Sequence, residues 1–112
     1  MTEGLCLRIY LSESSRIDGK PATEAILELC KQSGLCGVSV LRGIEGMGEH
    51  GVHSVSFLSL SSDLPILVEA IDTSDRINLA LEQMEPHLGQ CLVATWPISL
   101  MRYGDGDGNG ND

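Results

Sequence analysis

The sequence predicts an α+β fold in which one antiparallel sheet carries two helices on one face. Three observations predict it. Segments of period-2 apolar alternation are interleaved with two segments of helical period. Their order is strand, helix, two main strands, helix, strand, with an extra strand in the long central connection. The length, 112 residues, suffices for one apolar core and not for two.

Leu5, Leu7, Ile9 and Leu11 alternate with Cys6, Arg8 and Tyr10, which marks the first strand. Ser12 to Lys20 is polar, and Asp18-Gly19 marks a turn. Pro21 suits the first turn of a helix, where the N–H it lacks would have no partner. Ala22, Ala25, Ile26, Leu29 and Cys30 follow at helical spacing, with Glu24, Glu28, Lys31 and Gln32 facing out. Gly34 is the expected stop, so the helix is placed at 21–33. Val38, Val40 and Leu41 open a second strand. Gly43–His53 reads as a mobile loop, because Gly43, Gly46 and Gly48 loosen the backbone. Val55 to Leu60 reads as a third strand and Ile66 to Ile71 as a fourth.

Asp72-Thr73-Ser74-Asp75 supplies N-cap candidates and acidic first-turn residues. Ile77, Leu81, Met84 and Leu88 then form one helical stripe, expected to end at Pro86 and Gly89. Cys91 to Trp96 is a further strand, Pro97 is expected to interrupt it, and Ile98 to Tyr103 continues extended. The domain is therefore 1–103. Residues 104–112 contain only Gly, Asp and Asn and are expected to form a disordered tail.

This is the split βαβ order of a ferredoxin-like sandwich. Two helices cover one face of its sheet. Yet Phe57 and Val55 alternate with Leu58 and Leu60, and Leu67 and Ile71 with Ile66 and Val68. An apolar second face needs a cover, and oligomerisation is the simplest one.

Charge narrows the partners. Seven basic and 16 acidic residues give a formal net charge of -9, which repels nucleic acid and anionic membranes. No apolar run approaches the ~18 residues of a membrane span, so no direct membrane insertion is expected. Met1-Thr2-Glu3-Gly4 opens no signal peptide. The four cysteines, Cys6, Cys30, Cys36 and Cys91, show no Cys-x-x-Cys spacing. They read as buried reduced thiols of a cytoplasmic protein, with a Cys30–Cys36 redox couple as the alternative.

Four short motifs carry a family resemblance: Glu13-Ser14-Ser15-Arg16, Leu41-Arg42-Gly43-Ile44-Glu45-Gly46-Met47-Gly48, Leu64-Pro65 and Arg102-Tyr103. In this order and spacing they resemble the PII-like signal-transduction proteins, specifically an uncharacterised bacterial branch once catalogued as a domain of unknown function. The resemblance covers about 4–103. It implies a homotrimer with a flexible T-loop-like insertion after the second strand, and an adenine nucleotide bound in clefts between subunits. It further implies a signal passed to a membrane transporter, a channel or an enzyme. The matching ligand positions are Ser39 near the nucleobase, Gly46 and Gly48 at the loop base, Gly89 on the phosphate side and Arg102 at the phosphate. Arg42 is the cation beside that loop. The loop residues Glu45, Met47, Glu49 and His50 would face the partner. Glu49-His50 stand where classical members carry basic or amide residues, and Gln90 stands where they carry a phosphate-gripping lysine before the last strand. A less charged ligand than ATP, or none, is therefore equally open.

Plainer readings stand beside these. Arg42 is expected to pair with Glu45, and Arg16 with Glu13 or Asp18, as exposed charges usually do. His50 and His53 would point to opposite faces of an extended segment, so no metal is expected there. Asp105-Gly-Asp107-Gly-Asn109-Gly copies half of a calcium loop and lacks the closing Glu. No nucleophile–base pattern stands out, so no enzyme is expected. The alternatives are a ligand-independent trimeric interaction module and a small phosphoryl-handling enzyme.

Overall fold

A computed structural model describes residues 1–35, 37–48, 51–54 and 63–104, with the backbone alone for 45–48 and 51–54. Strand β1 spans Thr2–Ser12. Two short strands, β2 (Arg16–Ile17) and β3 (Lys20–Pro21), make a small hairpin around Asp18-Gly19, both of which adopt positive φ. Helix α1 covers Ala22–Gln32 and β4 covers Gly37–Arg42. Next come β5 (Glu45–Gly48), β6 (Gly51–Ser54) and β7 (Pro65–Thr73). Helix α2 (Ser74–Leu88) and β8 (Leu92–Leu100) complete the order.

The main sheet has the order β4-β7-β1-β8, with every neighbouring pair antiparallel. That is the expected ferredoxin-like sandwich. Both helices pack on the same face. Leu7, Ile9 and Leu11 of β1 and Ile66, Val68 and Ala70 of β7 meet Ile26 of α1 and Ile77 and Met84 of α2. Ile9, Ile26, Ile77 and Met84 are fully buried. Each such side chain contributes roughly 1.5–3 kcal/mol relative to leaving it in water.

Local signals set most element ends. The Thr73 side chain caps α2 by accepting from the Arg76 N–H. Gly34 and Gly89 follow α1 and α2 with φ near +79° and +60°, conformations that a Cβ disfavours.

Four expectations fail here. Gly43–His53 is not a plain loop, since β5 and β6 pair antiparallel as a ribbon from Glu45↔Ser54 to Gly48↔Gly51. Local strand pairing satisfies backbone groups whatever the glycine content. Pro86 does not end α2. It lies in the last turn, where its φ is compatible with a helix and only one hydrogen bond is lost. Pro97 does not interrupt β8, because an edge strand tolerates a residue without an N–H. Finally, β8 ends at Leu100, so Met101–Tyr103 is not strand. The expected strand at Val55–Leu60 and the tail from Asp105 onward lie outside the described residues.

Candidate functional site

The predicted ligand residues fall at two ends of the sheet. Arg42, Gly46 and Gly89 belong to the end where β4 finishes and β8 begins, and Gly48, expected at the loop base, lies instead at the outer end of the ribbon that leaves from there, paired with Gly51. Arg102 follows the far end of β8. Strand β8 is nine residues long. At about 3.3 Å per residue, its ends lie about 26 Å apart. Ser39 sits between them, exposed on β4 and opposite Glu69 of β7. Within one chain these residues do not converge on a single site. Glu45 and Met47 lie on β5. Glu49 and His50 lie outside the described residues, as does Cys36 of the suggested redox couple.

At the first end, Arg42 forms an ion pair with Glu13, while the side chain of Glu45, its expected partner, lies outside the described residues. Backbone anchoring explains the Arg42–Glu13 pair. Glu13 N–H donates to the Leu64 carbonyl (3.0 Å) and Gly43 N–H to the Pro65 carbonyl (2.8 Å), so both segments are held against the same dipeptide. A Cβ at Gly43 would come within 2.6 Å of the Pro65 ring, which gives this glycine a packing role. Arg16 has no ion pair among the described residues. Its expected partners are engaged elsewhere: Glu13 with Arg42, and Asp18 with His87 Nδ1 at 3.4 Å. Gly89 serves first as the C-cap of α2.

At the opposite end lies a groove of about 580 Å³. It is lined by Thr2 of β1, Gly37 of β4, Asp72 and Thr73 of β7, Arg76 of α2, and Arg102. Arg76 and Arg102 make no ion pair among the described residues. Asp72 Oδ1 accepts from the Thr73 N–H at 2.7 Å, while its buried Oδ2 has no partner among the described residues. The groove thus offers two guanidinium groups to an oxyanion, with the half-buried Asp72 carboxylate beside them. Sequence reading missed Arg76 and Asp72. Their signal was position: both flank the α2 cap at Thr73, where the N-terminal dipole also favours an anion.

The face away from the helices forms three rows across the sheet, read from strand register. The first is Leu41, Leu67, Tyr10 and Leu92; the second is Ser39, Glu69, Arg8 and Ala94; the third is Gly37, Ile71, Cys6 and Trp96. Arg8 donates to Glu69 Oε1 from Nε (3.1 Å) and Nη2 (2.5 Å), and lies 5.3 Å from the centre of the Trp96 ring. Cys6, Cys30 and Cys91 are free thiols. Burial pushes all three up in pKa; at Cys6 the Glu69 charge adds to it and Arg8 opposes it. A thiol held protonated is a poor nucleophile and metal ligand. Among the described residues, no group of three or more His, Cys, Asp or Glu side chains could hold a metal ion. No described helix is long and apolar enough to cross a membrane.

This architecture is that of the PII-like proteins. CPII from Thiomonas intermedia K12, solved with ADP and bicarbonate, superposes with a TM-score of 0.64 at 20% identity, covering 89% of this chain and 90% of that one. GlnK of B. subtilis, solved with ATP, gives a TM-score of 0.54 at 10% identity, over 88% and 84% of the two chains. The chain belongs to the DUF190 family, described as "Uncharacterized ACR", whose family model matches residues 4–100. A UPF0166 protein of Methanocaldococcus jannaschii is 32% identical over 84 residues, 75% of this chain and 78% of that relative.

Proposed function

We propose that this chain is a PII-like regulatory subunit. It assembles through the open sheet face into a cytoplasmic homotrimer. It senses a small anionic ligand, an adenine nucleotide, in clefts between subunits, and signals to a partner protein through segment 43–54. One observation carries this reading: the ligand positions divide between opposite ends of the sheet, about 26 Å apart by strand rise. Such positions can form one site only where two chains meet. One chain would then bring Gly46 and Gly89, and its neighbour would bring the groove end with Arg102.

The charges support the division of labour. Arg42 is engaged with Glu13, so the arginines of the groove are left to meet an oxyanion. The backbone at Gly46, near the base of the ribbon, can approach a phosphate closely because no Cβ stands in the way. The ribbon β5–β6 leaves the sheet directly after Arg42, which puts a partner-contacting segment beside the cleft. Related folds hold ADP with bicarbonate, or ATP, which makes an adenine nucleotide the first ligand class to try.

A ligand that binds only the folded form must raise its stability. The test is a thermal-shift series with ATP, ADP, AMP, cyclic AMP and bicarbonate. At least one adenine nucleotide is expected to raise the melting temperature of the wild type, and Arg102→Ala to abolish the rise. A folded oligomer that responds to none of them would sink the sensing role and favour a ligand-independent interaction module.

A further inference from the structure

We infer that the Arg8–Glu69 pair fixes the register in which copies of this chain meet and makes the assembly selective for its own kind. The inference rests on the proposed assembly through the open sheet face. It starts from the pattern of that face. A polar row crosses the sheet between two rows that are mainly apolar, and only its centre is charged. Tyr10 and Trp96 are each 38% exposed and Leu92 is 68% exposed, so the flanking rows offer apolar area to an occupant.

Apolar contact alone does not choose a register, because it is non-directional. The charged centre does. Arg8 and Glu69 side chains keep only 29% and 28% of their exposure within one chain. Two bonds from Arg8 go to Glu69 Oε1, the Tyr10 side chain also interacts with the guanidinium, and Glu69 Oε2 accepts nothing among the described residues. Trp96 stacks on the guanidinium and limits where it can swing. Covering the face therefore buries a preoriented ion pair with one acceptor still open. A sliding step of two residues along a strand would lay that pair against Leu or Ile of the neighbouring chain. There the pair would be desolvated with its open carboxylate oxygen and remaining guanidinium N–H groups facing hydrocarbon, which costs free energy, so such registers are disfavoured. The occupant that presents a matching polar row at the matching height is another copy of this chain. Buried polar groups used to specify one pairing over others follow the same logic.

The test compares four proteins by light scattering, native mass spectrometry and circular dichroism. Glu69→Leu leaves Arg8 uncompensated and is expected to weaken self-association at least tenfold. Arg8→Met/Glu69→Leu removes both charges and should associate again, now as a mixture of masses. The exchange Arg8→Glu/Glu69→Arg keeps a pair within each chain and should assemble with itself. Mixed with wild type after unfolding and refolding together, it should form few hybrid assemblies. If Glu69→Leu fails to fold, the exchange variant decides alone. Statistical hybrids, or a Glu69→Leu chain that assembles like wild type, would overturn the inference and leave the assembly standing. A wild type that remains monomeric would overturn both.

Discussion

The two faces of the main sheet are built from the same strands, yet they finish differently. The helix side closes within one chain. Leu7, Ile9, Val68 and Ala70 on that side are buried under α1 and α2. On the other side Leu41, Ile71 and Leu92 remain exposed within one chain, and a charged pair crosses the centre. The helix side is therefore where the fold gets its stability, and the open side is where we propose that copies of the chain meet. Mutations on the two sides should separate these roles.

The largest effect belongs to the closed side. Ile26, on the core side of α1, is fully buried. Ile26→Ala should cost about 2–5 kcal/mol, read from urea unfolding, because it opens a cavity in a packed core. Leu92→Glu on the open side should do the reverse. The side chain is 68% exposed, so the intrinsic stability of one chain should change by no more than about 0.5 kcal/mol. Self-association should be lost, and the unfolding midpoint should no longer depend on protein concentration. Equal effects from the two substitutions, on stability and on mass, would erase the distinction. The smallest effect sharpens it. Thr73→Ala removes the α2 cap and should cost about 1 kcal/mol, with no change in assembly at high protein concentration.

The closed side was largely legible in the sequence, and the open side was legible only as a question. Helical and period-2 spacing report which residues face a core, and of the stripe Ile77, Leu81, Met84 and Leu88 all but the half-buried Leu81 lie buried. Alternation also put Leu67 and Ile71 on a second face. It could not pair Arg8 with Glu69, 61 positions apart, because register between distant strands is not a local property. The same limit hid the Arg42–Glu13 pair, whose members are far apart in sequence. Glycine counting failed at 43–53 for another reason. Glycines that permit a mobile loop equally permit a tight ribbon, and the choice depends on pairing. Pro97 was misread because the sequence does not say which strand is at an edge. The candidate site was legible as motifs, but its division between two ends of the sheet needed the topology.

All these expectations meet in one quantity, the mass of the wild-type chain in solution. Light scattering coupled to size exclusion, at protein concentrations from low micromolar upward, measures it directly. The account predicts a discrete particle of three chains, with the open face buried between them. A folded single chain across that range, with Trp96 fluorescence reporting a solvent-exposed indole, would contradict it.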